Sequence, residues 1–140
     1  MPVIELDMLI AFVNKSDKLH KAADKLFQRI IRGEIRNLKV ASSAYLEYEL
    51  ILRSKGYTEF QIRSDLAAFK GIPNLGEAPL TADVLLKASE LREKYNLTYF
   101  DSLHGATAIL LDGEIISSDK DYENVEELKV INPLKMATSP

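Results

Sequence analysis

The sequence contains no cysteine. That excludes disulfide staples, thiolate-held zinc or iron–sulfur centres and cysteine nucleophiles. Histidine is scarce too, with only His20 and His104, so carboxylate oxygen is the abundant remaining donor for a metal ion. No apolar run approaches the roughly 20 residues needed to cross a bilayer. The opening MPVIELDMLIAF has neither the basic segment nor the cleavage site of a signal peptide. A soluble cytoplasmic protein without a membrane partner is the expectation. Basic excess is also missing: the net charge is −3, so no overall field draws nucleic acid, and only a local basic stripe could serve a phosphate backbone. What is there is 140 residues, 46% of them hydrophobic, enough for the core of one domain over 1–140.

Strand-like and helix-like segments alternate along the chain. VIEL (3–6) reads as a short strand with Asp7 at its end, followed by a short apolar helix through MLIAFV. From Asp17 to Arg32 the residues Leu19, Ala22, Ala23, Leu26, Phe27, Ile30 and Ile31 keep helical spacing, and Gly33 ends the run. LKVA (38–41) reads as a strand, with Ser42 or Ser43 capping a helix that continues to Gly56. Thr58 caps a helix to Phe69, and a short strand is expected at IPNL. Thr81 caps a helix with Val84, Leu85, Ala88, Leu91 and Tyr95 on one face, and YFDSLHGATAILL forms the next helix after Asn96. EIISS (114–118) ends at Asp119, LKVINP (128–133) is a last strand, and an irregular tail is expected from about 134. Strands separated by helices require crossovers, so the fold class is α/β with a parallel sheet.

Four acids stand beside apolar sequence: Asp7 after VIEL, Glu47 in the helix after LKVA, Asp101 in the penultimate helix and Asp119 after EIISS. Two carboxylates about 4 Å apart repel by roughly 4 kcal/mol at an effective dielectric near 20, so a gathering of four needs a cation. Magnesium or manganese suits oxygen donors, and can activate water while neutralising a phosphate's developing charge. In the helix after LKVA, Glu49 has Arg53 at i+4 as a surface partner, whereas Glu47 lies among Ala44, Tyr48, Leu50 and Ile51. Glu47 is therefore the better inward acid. Gly105, one turn after Asp101, leaves room beside that carboxylate for an ion or substrate. His104 fits a satisfied core histidine better than a catalytic one, although a bond to Asp101 or to a phosphate is open to it. Each acid taken singly also has a plain reading, as a helix cap, a dipole partner, a lysine partner or a turn former. Lys18, Lys21, Lys25, Arg29 and Arg32 recur at helical spacing, as a stripe that could grip a phosphate backbone or simply a solvated face.

In order, IELDMLIAFVNKSDKLHKAADKLF, VASSAYLEYELILRS, ASELREKYNLTYFDSLHGATA and EIISSDKDYENVEELKVINP resemble the PIN domain, especially VapC-like toxins of prokaryotic toxin–antitoxin pairs. The most specific part is DSLHGATA followed by SSDKDY, which looks like the family's Asp-x-x-His-x-Ala-x-Ala and Thr-x-Asp-x-Asp-Phe pattern. The resemblance implies a three-layer α/β/α sandwich around a parallel sheet of four to five strands. It also implies a Mg2+- or Mn2+-dependent ribonuclease whose four acids carry over to Asp7, Glu47, Asp101 and Asp119. On that reading Asp7, Asp101 and Asp119 hold metal, Glu47 ligates or orients the attacking water, and Ser117 supports them at the family's threonine position. A VapB-like antitoxin and a homodimer are implied partners. Met8 stands where the family usually has a hydroxyl after its first acid.

Two other readings compete. A non-catalytic PIN-fold binding module would keep the architecture without the activity. A receiver-like phosphoacceptor domain needs adjacent acids after its first strand, but Leu6 separates Glu5 from Asp7.

Overall fold

The computed structural model describes residues 2–138. Its elements run β1 (Val3–Ile4), α1 (Leu6–Val13), α2 (His20–Ile31), β2 (Lys39–Ala41), α3 (Ser42–Ser54), α4 (Glu59–Lys70), β3 (Gly76–Ala78), α5 (Ala82–Lys94) and α6 (Tyr99–Leu111). They continue through β4 (Glu114–Ile116), a 3-10 turn (Lys120–Asn124), β5 (Lys129–Ile131) and α7 (Pro133–Thr138).

Helices begin where a side-chain oxygen can take a free backbone N–H. Thr58 forms a reciprocal capping box with Gln61, and Thr81 and Thr98 accept from the N–H groups of Val84 and Asp101. At α3 the expectation is corrected. Ala41, the last residue of β2, occupies the cap position, and neither Ser42 nor Ser43 caps the helix. Their hydroxyls are drawn elsewhere: Ser42 donates to Glu77 Oε2 at 2.9 Å and Ser43 Oγ lies 2.7 Å from His104 Nδ1.

Three further expectations change. IPNL is not a strand, because Asn74 turns the backbone with φ 65°. Pairing starts at Gly76 opposite Lys39, where a Cβ would come within 3.1 Å of the Lys39 side chain. Leu85 is 45% exposed and leaves the buried face of α5 to Val84, Ala88 and Leu91. Pro133–Thr138, within the segment expected to be irregular, is helical, because α7 packs on α2 and Arg29 donates to the Met136 carbonyl at 2.8 Å.

All five strands are parallel, in the order β3-β2-β1-β4-β5. Successive strand residues point to opposite faces. Ile4, Val40 and Ile116 therefore join one core with α1 to α4 and α7, while Val3, Ala41 and Ile115 join another with α5 and α6. The result is helix, sheet, helix in three layers. The strand order departs in both directions from β1, so the crevice beyond the carboxyl ends of β1 and β4 is the place an α/β sheet offers a ligand.

Candidate active site

β1 stops after two residues, and this decides which acid ends the strand. Glu5, not Asp7, follows β1 directly; its backbone N–H donates to the Ile116 carbonyl and its Oε2 accepts the Asp7 N–H at 3.4 Å. Asp7, expected at the strand end, instead stands in the first turn of α1. One of its oxygens, Oδ2, accepts from both the N–H (2.9 Å) and the hydroxyl (2.6 Å) of Ser118, pinning the loop after β4. The other, Oδ1, is buried without a hydrogen-bond partner. Met8 is fully buried in the core, so the hydroxyl beside Asp7 comes from Ser118 across the sheet.

Glu5 is only 6% exposed. Burial first, and then the charges of Asp7 and Asp101, push its carboxyl up from 4.5 to about 10. Ser117 donates its hydroxyl to Glu5 Oε2 at 3.2 Å and accepts the Asp119 N–H at 2.9 Å, which ties the ends of β1 and β4 together. Glu47 reaches the same place from α3, through His104 Nε2 at 2.7 Å. A carboxylate oxygen only accepts, so Nε2 carries the proton in that bond and the Ser43 hydroxyl serves Nδ1. His104 is thus a fully buried clamp between α3 and α6, bonded to neither Asp101 nor solvent. Glu49 instead pairs with Arg53 at 3.1 Å.

The lone acid of YFDSLHGATA now has its partners. Asp101 lies in the first turn of α6, where the helix's positive end favours a carboxylate. The Tyr122 hydroxyl donates to its Oδ1 at 3.2 Å. Burial raises the Asp101 pKa, the Thr98 bond opposes that shift, and the charge of Asp119 adds to it. The expected space at Gly105 does not belong to the site: a Cβ there would meet Leu128, Tyr122 and Leu91 at 3.4–3.7 Å, all of them core side chains.

Two groups of donors result. Ligand atoms of Glu5, Glu47 and His104 lie within 4.8 Å of one another, and so do those of Asp101, Asp119 and Asp121. Asp7 is in neither group; Ser117 links the two through Glu5 Oε2 and the Asp119 N–H, and the charges of Asp7 and Asp101 both act on Glu5, so the groups border one anionic crevice. The residues suit a hard divalent cation. The buried Asp7 oxygen has no hydrogen-bond partner among the described residues, and the charges of Asp7 and Asp101 add to the effect of burial on Glu5, so a cation would find uncompensated negative charge there. Spacing arguments missed Glu5 and the clamping role of His104. A signal for Glu5 existed, since an acid just ahead of the apolar run LDMLIAF is a helix-start pattern. The basic stripe is partly consumed within the fold, as Arg29 and Arg32 both pair with Glu34.

Solved structures share this architecture. A toxin–antitoxin complex from Klebsiella pneumoniae superposes with TM-score 0.67 at 15% identity, over 95% of this chain and 98% of that one. VapBC2 from Rickettsia felis, bound to a DNA fragment from its promoter, gives 0.70 at 16%, over 93% and 96%. VapC20 from Mycobacterium tuberculosis, a toxin cleaving the sarcin–ricin loop, gives 0.67 at 15%, over 88% and 93%. No curated protein sequence matches the chain. The family model of the PIN domain matches residues 7–128, beginning two residues past Glu5, and the chain belongs to the PIN domain family.

Proposed function

We propose that this protein is a Mg2+- or Mn2+-dependent endoribonuclease, the toxin of a VapBC-type pair. The observation that carries the reading is the placement of two neighbouring groups of acids beyond the ends of β1 and β4, Glu5 with Glu47 and Asp101 with Asp119, bridged by Ser117, and a buried Asp7 oxygen with no hydrogen-bond partner among the described residues. Asp7, Asp101 and Asp119 would hold the ion directly or through water, and Glu5 joins them. A divalent ion bound there supplies charge neutralisation at the phosphate and a more acidic water. Glu47, held by His104, orients the attacking water and takes its proton. Water adds to phosphorus, the bond to the 3′ oxygen breaks, and that oxygen is protonated from bulk water while Glu47 gives up to solvent the proton it took. Ser117 keeps Glu5 and Asp119 in register, and Tyr122 holds Asp101 by one oxygen.

RNA as substrate is supported by the similarity to a toxin that cleaves the sarcin–ricin loop, and a VapB-like antitoxin by the similarity to toxin–antitoxin complexes. A homodimer and a cytoplasmic location complete the reading. Cleavage of mixed RNAs by wild type and Asp101→Asn, with and without Mg2+ or Mn2+, tests it. Cation-dependent cleavage that the substitution abolishes is expected. RNA binding without cleavage under every cation would replace the nuclease by a non-catalytic PIN-fold binding module.

A further inference from the structure

Where α6 begins, in the turn that also carries Asp101, α5 and α6 build a small platform whose construction the chemistry at the acids does not require. Tyr99 opens α6 two residues before Asp101, and the residue is 56% exposed. The Arg92 guanidinium lies over that ring, 5.0 Å from its centroid. Arg92 is fixed there by a fully buried hydroxyl: Nη1 donates to Ser102 Oγ at 2.7 Å, and Ser102 in turn bonds the Tyr99 carbonyl. The other arginines bonded to carboxylates, Arg29, Arg32 and Arg53, find Glu34, Glu49 or Glu59; Arg92 has no carboxylate partner among the described residues. A guanidinium pre-set by a neutral anchor keeps most of its donors for an anion.

The platform also has a measured connection to the acids. Tyr99 meets Phe100 edge-on with centroids 5.6 Å apart, Phe100 stacks on His104 at 6.2 Å, and His104 holds Glu47 at 2.7 Å. Two ring contacts and one hydrogen bond therefore link the exposed tyrosine to Glu47. An exposed aromatic ring beside an arginine matches what an unpaired nucleotide presents, a flat base and a phosphate.

We infer that Tyr99 and Arg92 form a nucleotide subsite for single-stranded RNA: the base of a nucleotide flanking the scissile phosphate stacks on Tyr99, and its phosphate is taken by Arg92. This rests on the ribonuclease reading. Paired RNA, whose bases are stacked inside the helix, does not fill the subsite.

The test measures anisotropy of a short fluorescein-labelled single-stranded RNA, and of the same strand in a duplex, with Asp101→Asn as the non-cleaving background. Adding Tyr99→Ala should weaken single-strand binding about ten-fold or more, with duplex binding little changed, and Tyr99→Phe should restore it. Arg92→Gln should flatten the dependence of log K on log salt by about 0.7, the share of one phosphate on a single strand. Melting curves of each variant separate a lost contact from a loosened α5–α6 pair, which would weaken both RNAs together. Unchanged single-strand affinity in Tyr99→Ala and Arg92→Gln, equal losses on both RNAs, or no binding by the parent overturns the subsite. Failure of wild type to cleave RNA with Mg2+ or Mn2+ overturns the ribonuclease reading instead, so the two failures are distinct.

Discussion

Replacing Glu5 by glutamine should make the protein more stable while removing the activity proposed for it. In the absence of divalent ions the folded Glu5 carboxyl titrates near 10 against 4.5 for the free group, because it is buried and faces Asp7 and Asp101. The folded state therefore binds more protons than the unfolded state between those values. The stabilisation from a protonated Glu5 is complete below pH 4.5 and is lost steadily as the pH rises towards 10. At neutrality the loss amounts to about 2.5 pH units at 1.36 kcal/mol each, or about 3 kcal/mol. This figure depends only on the unfolded value so long as the folded one stays above neutrality. Glutamine has the shape of the protonated acid, can still accept from Ser117 and the Asp7 N–H, and never has to hold a proton. Thermal unfolding in EDTA, followed by circular dichroism, should then show Glu5→Gln melting roughly 6–12 °C higher than wild type at pH 7. The difference should shrink to roughly 3 °C or less at pH 5. A variant that melts at or below the wild-type temperature at pH 7, or a gap that does not change with pH, refutes the argument. A protein that keeps such an acid does so for function rather than stability.

Other substitutions probe separate links. His104→Ala removes the clamp on Glu47 and should lower cleavage or Mn2+ affinity about 10- to 100-fold, the usual effect of losing an outer partner of a metal ligand, as read by titration calorimetry. Ser43→Ala, which leaves the Glu47 bond itself in place, should have a smaller effect in the same direction. Gly105→Val should destabilise by about 1–3 kcal/mol in urea unfolding, since even its Cβ would touch Leu128 at 3.4 Å and the added methyls have nowhere to go. Thr58→Ala breaks the capping box of α4 and should cost about 1 kcal/mol in the same assay, with no change in cleavage.

Helical spacing and threonine caps made α2, α4, α5 and α6 readable in the chain, because those signals act within a few residues. The strand–helix alternation likewise dictated a parallel sheet, since a parallel connection needs room for a crossover. Glu47, Asp101 and Asp119 were singled out from their apolar neighbours, and the fold sets Glu47 beside Glu5 and His104, and Asp101 beside Asp119 and Asp121. Glu5 was hidden by the apparent continuity of VIEL, which masks the helix-start pattern of an acid ahead of LDMLIAF; ending β1 after Ile4 turns Glu5 from a strand residue into the cap of α1. Where His104 sends its two nitrogens was equally hidden, because Ser43 and Glu47 lie 61 and 57 residues away along the chain. Local sequence thus determined the kinds of element and the supply of carboxylates, whose energetics are short-ranged along the backbone. Only the tertiary structure decided which oxygens meet, because β1 and β4 become neighbours through a sheet pairing that brings Val3 beside Ile115.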